Sequence, residues 1–487
     1  MQFNFNNSDL WHVTLRALEA AKTAGESYIA SGKYVARQHI PELKYNSSGW
    51  PACVKSSWSS TDPESSPNWT DMFSIGTPVG GGMSISDVPN LESACSDLVD
   101  LALSDPQVEQ AVSLVSSVYE DDLEQRQDQI KHEYLNLLGK FLNRADAMGS
   151  WDDDVLRGIY LSWEKGAFSE ELTGELVVPI IMGAIPEDIL RLDLIGNIHI
   201  EAMDTGMQIA RAPALNGNHR VNPFHRAAAT HAVVITNVSV SNQWIRWPKP
   251  SLTELDLSGV ETVIEALSIV TGDERIGYAD IFMRPRDWAS RWVGAYPPLT
   301  RLAEVEQVPK AQGPLWNEDR ITYAPAVVEY LETAVQRLQH ATPKISLSSR
   351  RVRQASLRDD SEDAFLDAMI GVEALLGREH NEIIFRLSLR AAAALAWKWD
   401  PEDIFELLKF LYGQRSALVH GSGKVKESVN FQNKDYCTHV MGPWLLRELF
   451  LSWLMSAEPW SPQSLDKRLL EGLGKPENQN FELEDDC

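Results

Sequence analysis

A chain of 487 residues, 44% hydrophobic and 23% charged, has room for several domains and an ordinary globular composition. Its net charge of −25 argues against a general nucleic-acid binder, whose affinity needs a broad basic surface. The longest apolar run, Leu176 to Ile185, is broken by Pro179 and too short to cross a bilayer, so no membrane partner is expected.

In chain order, Leu10, Leu15, Leu18 and Ala21 predict a helix over 8–32 with Ser8 as its cap. A stretch rich in Ser, Pro and Gly fills 46–90, and two or three helices follow over 91–145. The loop Gly76-Thr77-Pro78-Val79-Gly80-Gly81-Gly82 lacks the Lys of a phosphate loop and is read as an ordinary turn-rich segment. From about Glu171 to Pro298 short alternating runs such as Ile198-His199-Ile200, His231 to Val240 and Tyr278 to Met283 predict strands, with one helix near 259–270. A linking helix over 324–339 then leads to four helices over 347–376, 382–397, 401–419 and 434–455; Asp400 is the expected N-cap of the third and Pro401 its first residue. The expected fold is α+β and multidomain: a helical N-terminal region (1–165), a β-rich mixed domain (166–320), an all-α C-terminal bundle (321–460) and a disordered acidic tail (461–487).

Four cysteines, Cys53, Cys95, Cys437 and Cys487, show neither paired nor metal-ligand spacing, which fits a reduced, cytoplasmic setting. His219, His225 and His231 recur every six residues, but Pro223 interrupts them and no carboxylate is interleaved; no metal and no cofactor are expected. The acidic triplet Asp152-Asp153-Asp154 is explained by a helix N-terminus.

The third bundle helix carries the chemistry. Ile404, Leu408, Leu411 and Leu418 form an apolar stripe, and Arg415 falls on it. A permanently charged guanidinium there needs an anionic partner. Glu373 shares a stripe with Leu366, Met369 and Leu376 on the first helix, and a buried Glu373–Arg415 pair would cost about 3–5 kcal/mol to break from one side. His420 precedes Gly421-Ser422-Gly423, a helix stop, and its imidazole class titrates near neutrality. Arg415 and His420 together suit phosphodiester chemistry, one offsetting charge and the other moving a proton. Residues 344–426 hold 13 Lys+Arg against 12 Asp+Glu, so this segment is +1 within an acidic chain, and it contains the run Lys344, Arg350, Arg351, Arg353 and Arg358.

Arg415, four residues, then His420 and Gly421 near the end of the third helix resembles the RX4-6H signature of the HEPN superfamily. With Ser361-Glu362-Asp363-Ala364-Phe365-Leu366-Asp367, Gly371-Val372-Glu373-Ala374-Leu375-Leu376 and Tyr412-Gly413-Gln414-Arg415-Ser416, the segment is similar to the Apea-like branch, over about 345–457. Ser416 departs from the Asn, Asp or His that many relatives carry there. The resemblance implies a HEPN bundle that forms a homodimer and a metal-independent endoribonuclease with Arg415 and His420 catalytic. From the residues themselves, Glu373, Tyr412 and Ser416 are candidates to support that pair, and the run Arg350, Arg351, Arg353 and Arg358 reads either as a solvated helix face or, next to such a site, as a guide for RNA. The resemblance also implies 2′-hydroxyl attack on RNA and an antiphage, abortive-infection role set off by a phage-derived trigger. The alternative is a non-catalytic HEPN module that dimerises or binds a nucleotide or a partner protein, with Arg415 and Glu373 purely structural.

Overall fold

Helical stripes and alternating strands sort the chain into a mixed α+β protein of two compact units, seen here in a computed structural model. The structure describes residues 5–54, 65–78, 81–113, 122–215, 221–245, 250–309, 315–320, 322–378, 384–421 and 426–472. One unit comprises Met1–Leu257, Tyr278–Glu306 and Pro314–Ile321; the other comprises Ser258–Gly277, Gln307–Gly313 and Thr322–Cys487. The N-terminal helices and the β-rich region, expected as two domains, thus form a single unit. Among the described residues no helix is long and apolar enough to cross a membrane.

The first unit begins with α1 (Ser8–Ala30), whose first turn is closed by Asn7 accepting the Leu10 N–H at 2.9 Å. The hairpin β1 (Glu42–Tyr45) and β2 (Pro51–Val54) follows, then the short parallel pair β3 (Phe73–Ser74) and β4 (Met83–Ser84). The helices α2 (Pro89–Ser104), α3 (Pro106–Val112), α4 (Leu123–Ala147) and α5 (Asp153–Phe168) enclose a core that includes Leu10, Leu98, Phe141 and Tyr160. Gly139 on α4 is required by close approach: a Cβ there would lie 2.5 Å from the Thr70 Cα. Asp152 caps α5 by accepting the Val155 N–H at 2.8 Å, the role expected of that acidic triplet.

A six-stranded sheet completes this unit, built from β5 (Glu171–Pro179), β6 (Arg191–Asp193), β7 (Ile198–Ala202), β8 (His231–Ser241), β9 (Tyr278–Pro285) and β10 (Thr300–Gln307), in the order β10-β9-β5-β8-β7-β6. Strand β5 runs antiparallel to β8 and β9, and a register shift at Gly174/Leu176 bends it. The helices α6 (Thr205–Leu215) and α7 (Pro223–Ala227) contribute two fully buried arginines. Arg226 meets the buried carboxylate of Asp280 through two hydrogen bonds, one of 2.9 Å from Nε. Arg211 donates to Gln208 and to the carbonyls of Arg226 and Ala227. His225 is buried, and desolvation pushes its imidazole down to about 4, while His231 lies 2.9 Å from the Ile189 carbonyl. His219 lies outside the described residues.

We predict that Asp280→Asn, which leaves the Arg226 charge buried beside Arg301 (3.7 Å from Asp280), destabilises this unit by about 3–5 kcal/mol. Denaturant unfolding followed by a probe in the sheet checks it.

Among the described residues the second unit is helical apart from one hairpin. It contains α8 (Ser258–Thr271), α9 (Pro325–Glu329), α10 (Leu331–Gln339), α11 (Pro343–Leu357), α12 (Ser361–Leu376), α13 (Ile384–Leu395), α14 (Pro401–His420), β11 (Ser428–Phe431), β12 (Lys434–Cys437), α15 (Thr438–Met455) and α16 (Pro462–Gly472). Helix α8, expected in the β-rich domain, instead contacts α10, α11 and α15. The expected helix over 347–376 is two helices, because Asp360 turns back to cap α12, accepting the N–H groups of Glu362 and Asp363. The expected helix over 434–455 starts only at Thr438. Gln432 and Asn433, both at positive φ, form a tight turn that makes the preceding residues a hairpin. The acidic tail was expected to be disordered from residue 461. Over Pro462–Gly472 it is instead a helix, anchored by fully buried Leu465 and by Asp466, which accepts two 2.7 Å hydrogen bonds from buried Arg390. Residues 473–487 lie outside the described set.

Glu265 on α8 accepts a hydrogen bond from Ser349 on α11, and burial pushes its carboxyl up to about 7. The folded state therefore holds its proton more tightly than the unfolded chain. Stability contributed at this site is full below about 4.5 and is lost as pH rises through about 7. Glu265→Gln should remove that loss, so the fall in melting temperature between about pH 5 and about pH 8 should be smaller in the variant than in the wild type.

Candidate functional site

Helix α14 starts as its residues dictate: Asp400 accepts the Glu402 and Asp403 N–H groups, Pro401 takes the first position, and Ile404, Leu407, Leu408 and Leu411 are buried. From Tyr412 onward no residue of α14 is fully buried, so the helix emerges from the bundle at the point where the motif begins. Arg415 is therefore half-exposed, and the desolvation cost expected for a guanidinium on a core stripe is largely absent.

Its partner is the one the spacing predicts. Arg415 Nη2 lies 3.6 Å from Glu373 Oε2, with side chains 27% and 31% exposed. That exposure corrects the expectation of a buried pair and puts its worth in the surface range, at most about 1 kcal/mol. Tyr412, one turn earlier, closes the group. Its ring lies 5.8 Å from the Arg415 guanidinium carbon, and its hydroxyl hydrogen-bonds Glu373. Burial and the Glu373 charge push the Tyr412 phenol above its ordinary value, so it stays a neutral donor. Ser416 is half-buried on the same helix.

His420 is the last residue of α14 and is exposed; Gly421 follows in the left-handed conformation with φ of 60°, the cap that its lack of a Cβ permits. Because the helix runs unbroken to His420, that imidazole and Arg415 sit about 140° apart on one rod. Within one chain they do not share a helix face. Ser422 and Gly423 lie outside the described residues.

The basic run is divided: Arg350 and Arg358 are exposed, Arg351 is partly buried and Arg353 is buried. Arg353 is buried and donates to the Ile276 and Gln307 carbonyls, each at 2.6 Å. Arg351 and Arg358 both bond to the buried carboxylate of Asp367, the latter at 2.7 Å. Arg350 is exposed; its Nε reaches the Ser346 carbonyl at 3.3 Å and its charge acts on the Glu265 carboxylate. Arg353 is covered because α11 packs against α8 and α12, whereas Arg358, just past the end of α11, stays exposed with its Nε on Asp367. Asp367 escaped notice as the acceptor of Arg351 and Arg358, although a carboxylate 9 and 16 residues beyond two arginines was visible in the chain. Among the described residues no group of three or more His, Cys, Asp or Glu could hold a metal ion.

Comparison of the chain with protein-family models, with curated proteins and with solved structures finds no match.

Half-exposure of the Arg415–Glu373 pair makes Arg415→Ala a clean variant. It should lower unfolding free energy by no more than about 1 kcal/mol. Glu373→Gln should do the same, measured by denaturant titration with far-ultraviolet circular dichroism.

Proposed function

We propose that this chain is a metal-independent endoribonuclease of the HEPN superfamily, in its Apea-like branch, acting as a homodimer through the C-terminal bundle. What carries this reading is a half-exposed guanidinium oriented by Glu373 and Tyr412 at the same helix end as an exposed imidazole. His420 takes the proton from an RNA 2′-hydroxyl, O2′ forms a bond to the adjacent phosphorus, and the P–O5′ bond breaks. The 5′-oxygen leaves with a proton supplied by the second copy's imidazole. The products are a 2′,3′-cyclic phosphate and a 5′-hydroxyl, and DNA is spared for want of the attacking group. Arg415 offsets charge on the non-bridging oxygens. Two copies are needed because about 140° of helix separates Arg415 from His420 within one chain, so a cleft between bundles has to unite them. The biological role that accompanies this reading is cytoplasmic antiphage defence by abortive infection, switched on by a phage-derived trigger.

A second reading is favoured by a specific observation: Glu373 already meets the Arg415 charge, and three of the four expected RNA-guiding arginines already have acceptors, Arg353 on backbone carbonyls and Arg351 and Arg358 on Asp367. On that reading the module is a non-catalytic scaffold that dimerises or binds a nucleotide or partner protein.

Full-length protein incubated with end-labelled RNA in EDTA should yield cyclic-phosphate ends. His420→Ala, a change at an exposed helix end, should slow cleavage by about 10²–10⁴-fold with unchanged melting temperature. RNA left intact by wild type, alone and in extracts of phage-infected cells, would overturn the nuclease in favour of the scaffold.

A further inference from the structure

The second unit contains a cavity of about 500 Å³, within the range of small-molecule sites, that none of Arg415, Tyr412 or His420 lines. Its walls come from the end of α10, the start of α11, the end of α12 and the start of α16. Two helix starts and two helix ends meet there, so the helix dipoles oppose one another and the side chains set the potential.

Those side chains are one-sided. Arg337, Lys344 and Arg378 line the cavity, and among the described residues no Asp or Glu does, in a chain whose net charge is −25. Lys344 Nζ donates to the Gly377 and Arg378 carbonyls, each at 3.2 Å, and Arg337 donates to the carbonyls of Leu454 and Ser456, the latter at 2.7 Å. Carbonyls satisfy N–H groups without cancelling charge. Asp466 is the carboxylate that acts on Arg378, and both of its oxygens are taken by Arg390. The opposite character lies alongside: Leu375, Trp453 and Trp460, all buried, present an apolar wall. The Trp460 indole is fixed by a 3.3 Å hydrogen bond to Ser452.

A rim of three cations on an indole-lined cavity matches one ligand chemistry. We propose that this cavity binds a small organic anion, an apolar or aromatic body of up to drug size carrying a carboxylate or phosphate group. The anion meets Lys344 and Arg378, which are exposed and free to move onto it, while the body lies against Trp453, Trp460 and Leu375. Helix α16 completes the wall, which gives the stretch after Trp460 a purpose that its acidic, polar composition does not suggest.

Isothermal titration of the full-length protein with 1-naphthylacetate, AMP, inorganic phosphate and uncharged 1-naphthylacetamide tests this. Naphthylacetate or AMP should bind, whichever is tighter distinguishing a carboxylate from a phosphate ligand. Phosphate alone and the amide should bind at least about tenfold more weakly, and high salt should weaken the organic anion. Arg378→Gln and Lys344→Gln, both at exposed positions, should each weaken it by about tenfold, and Ala374→Phe should block the cavity. The proposal is overturned if neither organic anion binds, if the amide binds as well as the acid, or if these variants leave affinity unchanged. None of these readouts involves RNA, so failure here leaves the nuclease reading untouched, and the converse also holds.

Discussion

Two guanidinium groups converge on one buried carboxylate. Asp367, 4% exposed, accepts from Arg351 in the middle of α11 and from Arg358 in the break before α12, each of its oxygens taken by a different arginine. Burying a lone carboxylate would be prohibitive, and two charged donors with good hydrogen bonds offset that cost. The geometry fixes the corner between α11 and α12, and with it the rotation of α12 about its own axis. That rotation decides where the next charged residue on α12 points: Glu373 reaches Arg415 and Tyr412 on α14, while Leu375 and Gly377 face the cavity. Both candidate sites of this unit are therefore set by one carboxylate that belongs to neither.

How much of this was legible in the chain follows from how local each cause is. The start of α14 could be read directly, since Asp400 and Pro401 act within one turn of where they stand. The Glu373–Arg415 pairing could also be read, because apolar stripes on two neighbouring helices place both charges on facing sides. The break at Asp360 is less legible because the polar run from Arg358 to Asp363 also reads as the exposed stretch of one long helix, and the cap that interrupts it is a single side-chain choice. The hairpin before α15 was missed because Gln432 and Asn433 are not a strong turn pair, yet both take positive φ. The fate of the basic run was not legible at all. Arg353 is held by carbonyls of Ile276 and Gln307, which lie far away in sequence and carry no side-chain signature. The motif residues were thus readable and their burial was not, since burial depends on where α14 leaves the bundle.

The same distinction between satisfying a hydrogen bond and neutralising a charge separates the two candidate anion sites. Arg415 has a carboxylate, so a phosphate arriving there must displace Glu373 or share the guanidinium with it. At 3.6 Å and roughly one-third exposure the existing pair is weak, at most about 1 kcal/mol. A phosphate offering two charge-assisted hydrogen bonds to the guanidinium competes well against it. Glu373 then acts less as an obstacle than as a placeholder: it holds the side chain in one orientation until an anion with better geometry arrives, with the Tyr412 ring beside the guanidinium and its neutral hydroxyl still on Glu373. At the cavity no displacement is needed, because Arg337 and Lys344 are bonded to carbonyls whose dipolar fields fall off faster with distance than the charges they touch. An overall acidic chain will repel polyanions at long range, within the roughly 8 Å Debye screening of physiological salt. A small anion feels mainly the local rim and enters, whereas an RNA must bring a long run of phosphates past the acidic surface. On the two readings proposed above, the cavity suits a small ligand, while the Arg415 end of α14 would serve a polymer with a second copy of the bundle adding its own imidazole and shielding the approaching phosphates.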